Sequence, residues 1–342
     1  MFNVPIVGPI ILKSVSGLFL LVNVCTFALA NQDNIAASHA AESSDHIVVT
    51  VLGSGTPDPS PTQFGAAILV QAGGKNMMFD CGRGCTTRLA QLDKKLINKV
   101  DHLFVTHLHS DHLMGIDDLW LNGWTQGRKV PLQTWGPEGT NDMMEGLRSA
   151  FKRDISYRRN DKVPAPSAAL DNAFTDLPFK GGVALDKDGV KVTAFLVDHA
   201  TIVPAYGYKI EYKGHSVVIS GDTTTTASLY QQGKDVDVLM LEVMSPSTVD
   251  YLKSIFSPKQ IKTVLGYHMT ADQTADILKE TNPSLGVFYH TNNSEEATKS
   301  LLKTTHSIYK GDLAVSYDLF QIVIGDDIKT FNAIDKRKAG AN

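Results

Sequence analysis

Cysteine is nearly absent from this chain of 342 residues: Cys25, Cys81 and Cys85 are the whole supply. That excludes a disulfide-framed fold and a structural zinc module built on cysteine. Basic residues are not in excess either, with 32 Lys and Arg against 36 Asp and Glu and a net charge of −4. Such a balance disfavours a surface made to hold DNA or RNA. Charged residues make up 20% and hydrophobic ones 43%, which excludes a disordered, collagenous or coiled-coil chain and leaves apolar material for a sizeable core. No long apolar run occurs beyond residue 30, so no stable membrane span is expected in the rest.

The one long apolar run follows Lys13 and ends in the small-x-small triplet Ala28-Leu29-Ala30. Residues 1–30 therefore read as a secretory signal peptide cleaved after Ala30, with an uncleaved membrane anchor as the alternative. Cys25 lacks the small residues that lipoprotein processing needs before it. A periplasmic or secreted protein is expected, and residues 31–45 read as a polar spacer. In an exported chain Cys81 and Cys85, four apart, could close a small ring or stay as buried thiols.

From His46 the pattern changes to short β-rich runs divided by Gly and Pro turns. Strands are expected at Ile47 to Leu52, Ala66 to Gln71, Asn76 to Asp80 and Val100 to Thr106, with a helix over Thr86 to Leu96. A second β-rich half follows, with strands near Val190 to Val197, Tyr206 to Tyr212, Ser216 to Ser220, Val236 to Glu242 and Leu285 to Tyr289. Helices are expected at Asn141 to Phe151 and Thr270 to Glu280. This is an α/β pattern, and residues 46–335 read as one domain of two packed sheets. Trp120, Trp124 and Trp135 are read as core, with an aromatic cleft wall as the alternative. The basic run from Lys152 to Arg159 is read as solvated surface.

Histidine is what the chain has in plenty, eleven in all. Three of them fall in Thr106-His107-Leu108-His109-Ser110-Asp111-His112, directly after a buried strand. Four ligand-type side chains in six residues cannot point one way along a strand or helix, so a turn must fan them around a point. Neutral imidazoles and a carboxylate are the donor set of zinc or a similar metal. His39, His46, His102, His215 and His306 are read as structural or surface residues.

The His-x-His-x-Asp-His run resembles the signature of the metallo-β-lactamase superfamily, whose fold is an αβ/βα sandwich of two mixed sheets flanked by helices. His199 in Val197-Asp198-His199, Asp222 in Ser220-Gly221-Asp222 and His290 in Phe288-Tyr289-His290 resemble the family's remaining ligands, in its order. The resemblance implies two zinc ions, with manganese or iron as alternatives. It gives His107, His109 and His199 to the first, Asp111, His112 and His290 to the second, and Asp222 to both. Gly53-Ser54-Gly55-Thr56-Pro57, Phe79-Asp80-Cys81-Gly82 and Leu113-Met114-Gly115 look like the branch of tRNA 3′-processing endonucleases and secreted arylsulfatases. In that branch His268 would be a catalytic histidine and Glu242 the glutamate that orients it, and Asp111 is counted with them as a catalytic carboxylate. Leu241 stands where the endonuclease pattern has a second histidine.

Two such ions would lower the pKa of a shared water and polarise an ester oxygen, with His268 helping the leaving group. The function expected is an exported arylsulfatase acting on a small-molecule ester, with nucleic acid disfavoured as partner and a homodimer left open. The alternatives are a phosphodiesterase or 3′-tRNA-processing nuclease, a lactonase, and a metal-binding scaffold without catalysis. Asp80 and Asp198, next to the motifs, are expected either to hold a ligand imidazole or to cap a strand end.

Overall fold

A computed structural model describes residues 45–161, 167–171 and 173–333 of the protein. The leader expected at 1–30 and nearly all of the spacer lie outside the described residues. Among the described residues no helix is long and apolar enough to cross a membrane.

Two mixed sheets carry the chain. The first runs, edge to edge, through Ile328–Asn332 (β15), Phe320–Ile324 (β14), Ile47–Gly53 (β1), Ala67–Ala72 (β2), Lys75–Phe79 (β3), His102–Phe104 (β4), Gln133–Gly136 (β5) and Phe174–Asp176 (β6). The second runs through Leu313–Val315 (β13), Leu285–Tyr289 (β12), Val238–Glu242 (β11), His215–Ile219 (β10), Ile202–Tyr212 (β9), Val190–His199 (β8) and Gly181–Lys187 (β7). Each sheet is antiparallel on one side and parallel on the other: β3 to β6 and β10 to β13 are the parallel sets.

The period-2 pattern of the strands decides the layering, because alternate side chains leave a strand on opposite faces. Ile68 and Val70 of β2, and Met77 and Phe79 of β3, join the apolar layer between the sheets, while Leu69 and Met78 join the layer under the first set of helices. In β11, Val238 and Met240 face the other sheet, and Leu239 and Leu241 face the helices of the second half. Central strands buried on both faces require helices outside both sheets. Bonds between the sheets reach the start of the histidine run: the Tyr208 hydroxyl donates to Val105 O at 2.7 Å, and Tyr206 N donates to Thr106 O at 2.9 Å.

That second bond explains one departure from the sequence reading. The strand expected over Val100 to Thr106 shrinks to His102–Phe104, because Thr106 leaves its own ladder to pair with the opposite sheet. Trp120 and Trp124 are buried in the layer under the helices, and Trp135 stacks on Phe104 at 4.9 Å, so the tryptophans are core. The basic run folds as a helix, Lys152–Asn160, and the stretch after β11 forms two helices, Pro246–Ile255 and Pro258–Val264.

Candidate metal centre

Every strand that leads into the site delivers its residue at one end of the sandwich. Asp80 follows β3, the histidine run follows β4, His199 ends β8, Asp222 follows β10, Glu242 ends β11 and His290 follows β12. The carboxyl ends of parallel strands are where open α/β sheets place their ligands. After β4 the chain passes through Thr106 and turns once in the helix Ser110–Leu113, with His109 at its N-cap. This single turn spreads His107, His109, Asp111 and His112 around a common point. The turn is pressed onto the loop after β3 by Cys81 N to His112 O at 2.8 Å and Gly115 N to Cys81 O at 2.9 Å. A Cβ at Gly82 would stand 2.1 Å from Asp111 O, so only glycine lets these loops close.

The structure brings all seven sequence-read positions together as two groups: His107, His109, His199 and Asp222, and Asp111, His112 and His290. His109 Nδ1 lies 3.0 Å from His107 Nε2 and 3.2 Å from His199 Nε2. Nitrogens bound at about 2.0 Å to a tetrahedral ion stand about 3.3 Å apart, so the spacing suits one. Asp111 Oδ2 lies 3.1 Å from His290 Nε2 and 3.6 Å from His112 Nε2. Asp222 Oδ2 is 3.9 Å from His107 Nε2, 3.5 Å from His112 Nε2 and 3.7 Å from His290 Nε2, facing both groups. His112 Nε2 and Asp222 Oδ1 are buried with no hydrogen-bond partner. Buried polar atoms left unpaired in this way are costly, and a cation between them would satisfy both.

The far nitrogens of His107, His112 and His199 are held by the protein, which fixes the direction of the near ones. Asp80 accepts from Thr106 N at 2.8 Å and from the Thr106 hydroxyl at 2.7 Å, and its Oδ2 lies 2.7 Å from His112 Nδ1. The Thr106 hydroxyl is also 2.9 Å from His107 Nδ1, and His199 Nδ1 is 2.8 Å from Tyr267 O. Asp80 thus serves both groups at once. Asp198 does not: it is exposed and accepts from Ala200 N at 3.0 Å, a turn cap. Thr106 and the Tyr267 carbonyl were not read from sequence, since neither residue type nor spacing marks them.

Burial, then the neighbouring His112, pushes His107 well below the usual histidine value. Burial likewise lowers His199, to about 4 against the opposing pull of Asp222, and lowers His109. Neutral imidazoles with free lone pairs are the ligand form, which these three rings favour, whereas against burial Asp222 and Asp80 raise His112, and Asp222 and Asp111 raise His290. Burial resists ionisation of Asp222, but His290 and His112 outweigh it and hold the carboxyl well below its usual range.

Beside this cluster, His268 Nδ1 is 3.3 Å from Glu242 Oε1 and 4.0 Å from Asp222 Oδ2. Glu242 is fully enclosed and held by Met269 N at 3.0 Å and Thr223 N at 3.3 Å. Burial works against charge on His268, yet Glu242 and then Asp222 push it up to about 9. Cys81 and Cys85 are joined by a disulfide directly beside Asp80.

A latch closes the other side of the site. Thr291, next to His290, donates its N–H to Ser54 O at 3.1 Å and accepts from Gln63 Nε2 at 2.7 Å. Asp318, far along the chain, accepts from Ser54 N at 3.0 Å, the Ser54 hydroxyl at 2.9 Å, Phe64 N at 2.9 Å and Arg88 Nε at 2.9 Å. Gln63 and Asp318 carry no local signal in the sequence.

Comparison with known proteins matches residues 75–291 to the Beta-lactamase superfamily domain. The ribonuclease Z of Mycobacterium sp. (strain KMS) is 33% identical over 249 residues, covering 71% of this chain and 84% of that protein. The ribonuclease Z of Mycolicibacterium gilvum (strain PYR-GCK) is 30% identical over 287 residues, covering 82% and 94%. Among solved structures, human tRNase Z, short form, has a TM-score of 0.57 at 22% identity over 82% of this chain and 99% of that one. The metallo-beta-lactamase fold protein YhfI from Bacillus subtilis reaches 0.63 at 18% identity over 82% and 100%. The ribonuclease relatives overturn the expectation that set nucleic acid aside in favour of a small-molecule ester. Net charge averages over a whole surface and is blind to where the cations sit.

Proposed function

Because the chain belongs to the metallo-β-lactamase superfamily of hydrolases, in its tRNA-processing branch, we propose that it is a dinuclear metal-dependent phosphodiesterase that cuts RNA near the 3′ end of tRNA precursors. The observation that carries this reading is the 33% identity to a ribonuclease Z over 71% of the chain. It favours the phosphodiester over the sulfate ester expected from the sequence.

In this reading His107, His109 and His199 hold one ion, Asp111, His112 and His290 hold the other, and Asp222 serves both. Zinc suits imidazole and carboxylate donors at this spacing. When bound, such ions supply an activated water and polarise a phosphoryl oxygen. The chain's own part is positioning and proton supply. Asp80, Thr106 and the Tyr267 carbonyl lock the ligand rings, so their donor atoms need no reorganisation. Glu242 occupies His268 Nδ1 and favours the protonated ring, which leaves Nε2–H as the donor to the leaving oxygen. Two backbone N–H groups keep the Glu242 carboxylate from turning away.

The test offers zinc-loaded protein a tRNA precursor with a short 3′ trailer, bis-p-nitrophenyl phosphate and p-nitrophenyl sulfate. Trailer removal with negligible sulfate hydrolysis is the expected result, and sulfate turnover without RNA cleavage would overturn the reading. We propose export separately, on the leader pattern of residues 1–30, in which case the tRNA precursor is a model for an RNA phosphodiester met outside the cytosol. A mature N-terminus at Asn31 is expected, and full-length protein recovered from the cytosol would refute it.

A further inference from the structure

We infer that the exposed basic side chains of the helix Lys152–Asn160 form a docking surface for RNA backbone phosphates. The inference rests on the ribonuclease reading above and names where the body of that substrate would sit.

The composition of this helix sets it apart. Lys152, Arg153, Arg158 and Arg159 stand in nine residues with one acid, Asp154, in a chain whose net charge is −4. Asp154 is engaged with Arg158, whose Nε lies 3.0 and 2.9 Å from its two oxygens. The other three cations are exposed and are left to face solvent or an anion. Ile155 is the one buried residue of the helix, so packing contributes little to holding it. Four cations on nine residues repel one another, a destabilising arrangement that a polyanion would reverse. Arg153 and Tyr157 lie one turn apart on the same side, and Tyr157 is 60% exposed. A guanidinium beside an open aromatic ring offers a phosphate contact and a stacking surface together.

The place of the helix fits a large substrate. The preceding helix, Thr140–Ala150, starts at Gly139, where a Cβ would stand 3.0 Å from Leu108 Cδ1, between His107 and His109. Eleven helical residues span about 16 Å, and the basic helix begins beyond them. That distance is on the scale of an RNA stem whose end lies in the metal centre, and it is out of reach for a small ester.

The experiment compares the native protein, the double variant Arg153→Glu/Arg159→Glu, its neutral counterpart Arg153→Gln/Arg159→Gln, and Lys187→Glu/Lys191→Glu. The last pair is exposed at the end of β8 away from His199, about 30 Å along that strand. Each protein is assayed on the tRNA precursor over a series of NaCl concentrations and on bis-p-nitrophenyl phosphate. The glutamate variant is expected to raise KM for RNA at least tenfold with kcat within twofold, and to reduce the slope of log KM against log[NaCl] by about 2. The glutamine variant, which keeps helix-forming side chains, should raise KM by a smaller factor in the same direction. Hydrolysis of bis-p-nitrophenyl phosphate should stay within twofold in both, and the distant pair should change neither assay. An unchanged RNA KM in the helix variants, or an equal change from the distant pair, would overturn the docking surface while the ribonuclease reading stands. Native protein that hydrolyses bis-p-nitrophenyl phosphate but leaves the RNA uncut would overturn the reading, and the surface with it.

Discussion

Asp222 and His268 stand 4.0 Å apart and are expected to fail in different ways. Asp222 Oδ2 faces nitrogens of both ligand groups, so Asp222→Asn removes the charge that serves each of them. Metal analysis after gel filtration should show loss at both sites, with activity down at least about 100-fold. A variant that keeps two ions per chain would contradict that placement. His268→Ala should instead keep its metal and lose about 100-fold or more in kcat, because it removes a proton donor and no ligand. Release of metal by His268→Ala would put it among the ligands. At this scale the sequence was highly legible, since four ligand-type residues in six positions have few other uses. The residues that aim them were not: Thr106 is one of many threonines, and the Tyr267 contribution is a backbone carbonyl.

Between elements, the site depends on backbone close to backbone. Asp80 sits at φ 53° and His290 at φ 48°, the left-handed region that is costly for residues with a side chain. Both lie just past the end of a strand, where the chain must turn sharply for the side chain to reach the centre. Gly82→Ala would drive a Cβ into the Asp111 carbonyl and the Gly65 backbone, and is expected to lower stability by about 2 kcal/mol or more in urea unfolding. Metal content should fall in the same variant, because Asp111 is what gets displaced. The strands of the central layers were legible from their apolar alternation. The helix Lys152–Asn160 was not, because Ile155 is its one buried residue and no apolar stripe repeats at helical spacing, whereas Pro246–Ile255 has Val249, Leu252 and Ile255 at that spacing but buries none of them fully. The short β4 was overestimated because Val105 and Thr106 are as apolar or β-branched as a strand requires, yet both carbonyls accept from the other sheet while only Val105 N stays bonded to β5.

For the whole molecule, the two halves of the chain each bring part of one centre, so metal occupancy and global stability are coupled. Chelation would leave His112 Nε2 and Asp222 Oδ1 buried and unpaired, and a clear drop in Tm is expected, restored by added zinc. A Tm indifferent to chelator would argue against a resident metal. Asp318→Ala should cost about 2 kcal/mol in denaturant unfolding, since it removes the acceptor of Ser54 N, Phe64 N and Arg88 Nε, although Arg88 keeps its bonds to Thr62 O and Gln91 Oε1.

The same latch gives the centre an order of assembly on the ribosome. All seven ligand positions have been synthesised by residue 290, but the carboxylate that pins the Ser54 to Phe64 loop against Thr291 arrives only at residue 318. β14, which seats β1 in its sheet, arrives later still. A nascent chain therefore holds a full complement of donor atoms before it holds their frame.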